Sequence, residues 1–429
     1  RTIREIAPHF EHHLYLSATP HNGYRESWTA LLELLDPQRF ARGVEPSEEA
    51  KRRVMVRRLK SELRKDPALR RPDGSPIFAA RTVEPLEVQY SAKEREIHAM
   101  LARYVENRRK RTAGDGTKSQ AMDFVGLLLK KRMFSSPAAF AETLAVHRAT
   151  LAAKSSRATT KALRSVFDRL DEEIADEEDL RESTEDALAA AAGALGSATA
   201  DEGRLLDQMT TWADGARHRN DSKAAKLFEL IDEVCRPDVD GRRRWNDERI
   251  IVFTEYRDTQ LYLYERLAAH FPEGEIKERV ELLYGGMDTD RRERIKAEFQ
   301  AHPSRRPVRI LLATDAASEG IDLQLHCSRL VHYETPFSPA RMEQRNGRID
   351  RHGQPAPVVR LYHFVGSGWE KAEPGSVADD LGFLLRVARK LETVREDVGI
   401  RSPGDLRTLR VAPASRRTAE LEPPARSFR

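Results

Sequence analysis

Cysteine is nearly absent: Cys235 and Cys327 are the only two in 429 residues. Two thiols cannot build a disulfide framework, and neither sits in a Cys-x-x-Cys pair of the kind that holds zinc, so no metal site is expected and a reducing, cytoplasmic setting is the default. Long apolar runs are missing too. The longest uncharged one, Ala187 to Leu195, is Ala-rich, is interrupted by Gly193 and falls far short of the roughly 20 residues that a membrane helix needs. The expectation is a soluble chain without a membrane partner. Nor is there a large excess of charge, since 73 Lys+Arg stand against 69 Asp+Glu for a formal net charge of +4. That balance permits a nucleic-acid partner without demanding one. No signal peptide precedes the first strand-like run, His13 to Leu16, and a start at Arg1 rather than Met points to further polypeptide upstream.

The length leaves room for two or three domains at about 150 residues each. Basic clusters recur at Arg52 to Arg58, Arg108 to Arg111, Lys130 to Arg132 and Arg242 to Arg244, offset by an acidic stretch from Asp171 to Glu182. For any single such run a solvated helix face is the plainer reading. From Ser91 to about Ala200 the pattern is helical and Ala/Arg/Glu-rich, with loops expected at Arg108 to Ser119 and Gly193 to Gly203. Past Arg249 the character changes. Short aliphatic runs at Ile250 to Phe253, Val280 to Leu283, Val308 to Ala313, Leu330 to Tyr333 and Val358 to Phe364 alternate with helical patterns at Thr259 to His270, Asp290 to Gln300 and Ala340 to Arg351. Such alternation predicts an α/β domain, a parallel sheet with helices on both faces. The segment His12 to Leu35 reads as one further strand ending in Ser17-Ala18-Thr19-Pro20, then a helix carrying Trp28, Leu31, Leu32 and Leu35. One strand makes no sheet, so it is expected to edge a second α/β domain. Ser402 to Arg429 is Pro- and Arg-rich and reads as a linker or tail.

Four segments carry polar residues where chemistry is expected. Pro339 to Gln354 reads P-A-R-M-E-Q-R-N-G-R-I-D-R-H-G-Q. If it is one helix, Gln344, Arg348 and Arg351 at i, i+4 and i+7 share a face, while Met342 and Ile349 anchor the other. Two permanently charged planar forks on one face suit a phosphate whose charge rises in a transition state; a surface helix with Arg–Asp pairing through Asp350 is the alternative. The loop Thr314 to Leu323 follows a strand directly, and loops at the carboxyl ends of strands in open α/β sheets are where ligands bind. There Gly320 permits close backbone approach, Thr314 and Ser318 can donate to phosphate oxygens, and Asp322 can accept from a sugar hydroxyl. Tyr284-Gly285-Gly286-Met287 and Phe253-Thr254-Glu255-Tyr256-Arg257 close two more strands of the same domain. Each alone reads as an ordinary turn. Three strand ends with phosphate-compatible residues are harder to dismiss.

Taken in order, Ser17-Ala18-Thr19-Pro20, Ile251 to Tyr256, Tyr284-Gly285-Gly286, Ala313 to Asp322 and Gln344 to Gln354 resemble motifs three, four, the following glycine motif, five and six of superfamily-two helicase motors. The closing Gln-x-x-Gly-Arg-x-Asp-Arg-x-Gly-Gln is similar to the Swi/Snf branch, nearest to bacterial members of the RapA and DISARM type. Arg57-Arg58-Leu59-Lys60, the K-K-R-M-F-S-S-P of Lys130 to Pro137 and Asp221-Ser222-Lys223 resemble further waypoints of that branch.

The resemblance implies RecA-like lobes that clamp ATP and Mg²⁺ and move along duplex DNA through sequence-independent backbone contacts. It implies Arg348 and Arg351 as arginine fingers, and Gln344, Gly320 and Asp322 at the nucleotide. Ser17 and Thr19 are implied to couple hydrolysis to lobe movement, with Thr254, Gly286, Thr314 and Ser318 against the nucleic-acid strand. The organisation expected is 1–90 as the end of lobe one and a connecting segment, 91–215 as a helical insertion, 216–400 as the helicase C-terminal lobe and 401–429 as the tail. The family's Gly-x-x-x-x-Gly-Lys-Ser/Thr loop and acidic magnesium box belong upstream of Ser17, where only 16 residues stand. The chain is therefore expected to be a fragment, inactive alone as an ATPase. Phage defence and RNA polymerase recycling are uses of the same engine; a non-catalytic nucleic-acid or protein binding module is the rival from another class.

Overall fold

The computed structural model describes residues 2–16, 25–56, 60–152, 184–191, 195–315, 321–336, 339–383 and 385–386. Expectations on Ser17, Thr19, Arg57 to Leu59, Asp171 to Glu182, Ser318, Gly320 and the tail lie outside these. The described residues fall into two compact units, one drawn from residues up to Leu63 with Glu373–Ser376, the other from Arg64–Ala372 and those from Val377 onward.

In the first unit the helix Arg25–Leu35 forms as its apolar spacing predicts, burying Trp28 and Leu32 against Phe40, with Ala50, Val54 and Met55 alongside. Ser47 caps the next helix, Glu48–Val54, by accepting from Ala50 N at 3.2 Å. The expected strand at His13 to Leu16 is not formed. Residues 12–16 are irregular, and Leu14 and Leu16 stand 83% and 87% exposed. A strand is held by its ladder, and no described residue of this unit forms a strand to pair with it.

The second unit is built on β1 (Ala80–Val88), β4 (Ile250–Thr254), β5 (Val280–Leu283), β6 (Ile310–Thr314), β7 (Arg329–His332) and β8 (Val358–Gly366), with a separate ribbon of β2 (Asp238–Val239) and β3 (Arg242–Arg243). The six strands lie in the order β1-β8-β7-β4-β6-β5, and every neighbouring pair is parallel. Side chains on a strand alternate between faces, and the alternation here divides one sheet between two cores. Ile250, Val252, Ile310, Leu312, Val331, Tyr362 and Phe364 pack with the helices Ser222–Cys235 and Arg257–His270. Ile251, Phe253, Leu311, Ala313, Leu330, Val359 and Leu361 pack with Ile295 and Phe299 of the helix Thr289–Gln300. Both faces are covered, which is why β4 and β6 read as unbroken apolar runs. This is the parallel sheet, covered on both faces, that the resemblance to a RecA-like helicase C-terminal lobe implies.

The helices Ala92–Thr112, Gly116–Ser135, Pro137–Ala152 and Ala200–Ala216 and the helical residues 184–191 share a third core around Leu101, Tyr104, Met122, Leu129, Phe140 and Met209. The loop expected at Arg108 to Ser119 shrinks to residues 113–115. Arg108 belongs to the helix and is buried against Glu202 at 3.2 Å.

Candidate nucleotide and nucleic-acid site

In a parallel sheet all carboxyl ends lie along one edge. β4, β6 and β5 are neighbours with Thr254 opposite Thr314 and Leu283 opposite Ala313, so their three following segments stand side by side. The glycine turn after β5 is open: Gly286 is exposed and adopts φ +70°, a conformation that disfavours side chains. The two threonines are not open. Thr254 is fully buried, its hydroxyl donating to Glu334 Oε1 at 3.0 Å. Thr314 is 1% exposed, and its hydroxyl finds no hydrogen-bond partner among the described residues. In this conformation, then, only Gly286 of the described strand-contact candidates faces solvent.

The helix expected over Ala340 to Arg351 is shorter than its pattern implied, spanning Pro339–Asn346. Gly347, a poor helix former, follows, and successive turns run through Arg348 N to Arg345 O (3.0 Å) and Asp350 N to Asn346 O (2.8 Å). Arg348 and Arg351 therefore leave the helix and lie on these turns, so the i, i+4, i+7 face with Gln344 does not form. A different constraint brings them to the Ile321–Asp322 segment. Leu323 N donates to Arg348 O at 3.0 Å, Gln354 Nε2 donates to Cys327 O and Ile349 O at 2.9 Å each, and Ile349 is fully buried. Held this way, Arg348 Nη1 reaches Ile321 O at 3.4 Å and Arg351 ion-pairs with Asp322. That pair is open, with Arg351 40% and Asp322 53% exposed. Gln344 is half-buried on the helix, and Asp350 pairs with Arg81 of β1 at 3.2 Å.

The most deeply buried arginine of the segment is one that helical spacing does not single out. Arg345 is 1% exposed and clamps Asp315, with Nη2 to Oδ2 at 2.7 Å and Nε to Oδ1 at 2.5 Å, while Nη1 donates to Glu334 O at 2.8 Å. Glu334 is a hub. Its Oε2 accepts from Glu255 N at 3.0 Å, and its Oε1 accepts from Thr254 and from Ser135 of the K-K-R-M-F-S-S-P segment. Lys131 of that segment pairs with Glu255 at 2.9 Å. Burial alone would push the Glu255 carboxyl up, but Lys131, Arg345 and Arg341 outweigh it and bring it down to about 2. Asp221-Ser222-Lys223 joins the same assembly: Asp221 caps its helix through Ala224 N at 2.7 Å, Ser222 N donates to Glu94 at 2.9 Å, and Lys223 Nζ donates to Phe134 O at 2.6 Å over the Tyr333 ring. Burial pushes Asp221 up to about 6 and Lys223 down to about 8. The sequence signal for this hub is the pair of waypoint motifs together with Glu255 in the run Phe253 to Arg257; Glu334 carries none.

A cavity of about 400 Å³ bordered by Phe228, Asp232, Arg243 and His270 is lined by none of the expected site residues. Among the described residues no cluster of His, Cys, Asp and Glu fits a metal ion, and no helix is long and apolar enough to cross a membrane.

Residues 223–353 match the helicase conserved C-terminal domain. The chain is 34% identical over 137 residues to the uncharacterized ATP-dependent helicase YqhH of Bacillus subtilis (strain 168), covering 32% of this chain and 20% of that protein. It is 31% identical over 169 residues to the RNA polymerase-associated protein RapA of Pectobacterium carotovorum subsp. carotovorum, covering 36% and 17%. The matched part thus spans about a fifth of the length of these relatives. A solved structure of the C-terminal part of the Fun30 ATPase domain aligns at a TM-score of 0.38 and 14% identity, over 72% of this chain and 89% of that one. The chain thus carries a helicase conserved C-terminal domain and is similar, over about a third of its length, to an ATP-dependent helicase and to an RNA polymerase-associated protein.

Proposed function

We propose that this chain supplies the second lobe of an ATP-dependent motor that moves along duplex DNA, with Arg348 and Arg351 as the residues that reach across to the nucleotide's phosphates. The observation that carries the reading is the Arg351–Asp322 pair, exposed and set beside Arg348 by the Leu323–Arg348 backbone bond. An exposed ion pair is worth little, so a phosphate can replace the Asp322 carboxylate at small cost. The donor set fits ATP in this respect: two guanidiniums that stay charged at any working pH, one of them solvent-facing. Hydrolysis of bound ATP supplies the free energy for stepping. The Lys for the β/γ-phosphates and the acidic Mg²⁺ ligand belong to the first lobe, and Gln344 and Asp322 relay the nucleotide state into the second. Gly286, Thr254, Thr314 and Ser318 contact the strand backbone; for Thr254 and Thr314 this requires the strand ends to open from their buried state.

In the full-length protein, Arg351→Ala lowers DNA-stimulated ATP turnover by on the order of 10³-fold, the usual scale of a lost arginine finger, and leaves duplex binding within about twofold. Turnover within tenfold of the unmodified protein refutes the finger role.

A transcription complex is the second reading for the target, favoured by the similarity to RapA, whose name records RNA polymerase association. Retention of RNA polymerase from purified components by the full-length protein supports it; a place in phage defence predicts no such retention.

A further inference from the structure

The carboxyl edge of the sheet holds the motifs, and the amino edge carries a group of exposed arginines of its own. The strands β4, β6 and β5 are neighbours, and the segments that lead into them, 236–249, 302–309 and 275–279, are knit together. Arg309 N donates to Arg279 O at 2.9 Å, Arg309 Nη2 donates to Pro303 O and pairs with Asp247, both at 3.1 Å, and Arg279 Nη1 donates to Pro307 O at 3.0 Å. Trp245 Nε1 fastens the first segment to the third through Glu275 Oε2 at 2.7 Å. The β2–β3 ribbon projects from this platform on a two-residue turn in which Asp240 and Gly241 both take positive φ, +56° and +75°, the combination that matches strand twist in tight hairpins.

Several arginines of this edge are already matched: Arg309 with Asp247, Arg329 with Glu248, and Arg243 with Asp232 at 3.5 Å. Four are not. Arg242 and Arg244 on the ribbon and Arg305 and Arg306 on the loop before β6 are all exposed, and among the described residues none has a carboxylate within ion-pair distance. The exposed Asp240 at the turn and the exposed Asp238, which accepts from Gly241 N at 2.8 Å, offset part of this charge and leave the surface net positive. Unmatched guanidiniums on two cross-braced loops form a fixed positive surface, and planar forks suit phosphate oxygens. A protein partner would need an apolar centre, for which Val239, 42% exposed, is the one large hydrophobic on the ribbon.

We propose that this amino edge is a second DNA contact, in which Arg242, Arg244, Arg305 and Arg306 hold the phosphodiester backbone of duplex DNA away from the motif-bearing edge. It rests on the reading of the chain as a DNA motor. A grip remote from the nucleotide keeps the duplex attached while the motif-bearing edge lets go and rebinds.

The test measures binding of the full-length protein to a fluorescent duplex of about 30 base pairs by anisotropy, as NaCl is raised from about 50 to 200 mM, a range over which binding through many phosphates weakens steeply. Removing all four charges with R242A/R244A/R305A/R306A is expected to weaken low-salt binding at least tenfold and to flatten the slope of log K against log salt by about 2–4, at about 0.9 for each phosphate no longer neutralised. Replacing the same four by Lys is expected to keep most of the slope, which separates removal of charge from failure to fold. An unchanged slope in the alanine variant overturns the proposal while leaving the motor reading intact. Loss of RNA polymerase retention with an unchanged DNA slope also overturns it and makes the edge a protein surface. If the unmodified protein does not bind duplex DNA, the motor reading fails and takes this inference with it.

Discussion

At the residue scale, Arg345 shows how spacing can direct attention to the wrong member of a motif. Helical periodicity favours Gln344, Arg348 and Arg351 because it assumes a helix through Arg351; Gly347 ends that helix early, and the residue that enters the core is Arg345. Its three nitrogens satisfy both Asp315 oxygens and the Glu334 carbonyl. Removing one partner of a buried pair leaves the other charge without compensation, typically at a cost of about 3–5 kcal/mol. Arg345→Ala is therefore expected to destabilise the chain by about 3 kcal/mol or more. Arg345→Lys should recover only part, since an ammonium cannot serve both Asp315 oxygens and a carbonyl in one plane. Urea midpoints of the three proteins check this, and a lysine variant as stable as the original would show that the fork geometry is irrelevant. The carboxylate of Asp315 sat in plain view in motif five, but nothing in a one-dimensional pattern reveals which arginine will turn inward.

At the scale of elements, the instructive contact lies between the helix Gly116–Ser135 and the strand ends. The sequence marks both sides, K-K-R-M-F-S-S-P on one and F-T-E-Y on the other, yet their meeting through Glu334 joins positions more than a hundred residues apart, Lys131 to Glu255 and Ser135 to Glu334. Local pattern cannot supply that pairing. The strands β4 to β8 were legible, because they are β-branched and aliphatic runs between turn residues; the strand expected at β6 begins two residues early because Val308 and Arg309 lie in the edge loop bound to Arg279. The Lys131–Glu255 pair also gives the docking a pH signature. Glu255 titrates near 2 in the folded chain against 4.5 when unperturbed. A carboxyl held low in the folded state stabilises it above the unfolded value, and that stability is lost as pH falls from about 4.5 toward about 2. The size is on the order of 3 kcal/mol. Asp221, raised by burial, works in the opposite sense between about 4 and 6. Glu255→Gln is thus expected to be the less stable protein at pH 7, where Lys131 loses its counter-charge, with the gap closing as the pH approaches about 2–3. A gap that stays constant from pH 7 to pH 3 would mean that Glu255 does not carry the effect.

For the whole molecule, the central fact is that the sheet closes on a strand from far upstream. β1 lies beside β8 along its full length, Ala80 opposite Val358 through Val88 opposite Gly366, although four other strands of the sheet, β4 to β7, lie between the two in the chain. It escaped the sequence reading for a physical reason. Glu84, Pro85 and Glu87 break its apolar run, and Pro, which cannot donate to a ladder, is tolerated because β1 is an edge strand. Yet Leu86 and Val88 enter the core shared with Phe364 and Leu227, and Val83 packs on the opposite one. Arg81 adds a second fastening to the turns that carry Arg348 and Arg351, through Glu343 and Asp350, both at 3.2 Å. Residues 223–353, the extent of the conserved domain, therefore omit both β1 and the neighbouring β8 of the sheet. If β1 were a passive connector, a charge at Val88 would be tolerated; since Val88 is 1% exposed, Val88→Asp forces a carboxylate into an apolar core and is expected to cost about 3–5 kcal/mol. Comparing its urea midpoint with that of Val252→Asp, at a fully buried position of the central strand β4, decides the matter: similar losses make β1 a structural member of the lobe, whereas a loss under about 1 kcal/mol at Val88 alone would return it to the role of a linker.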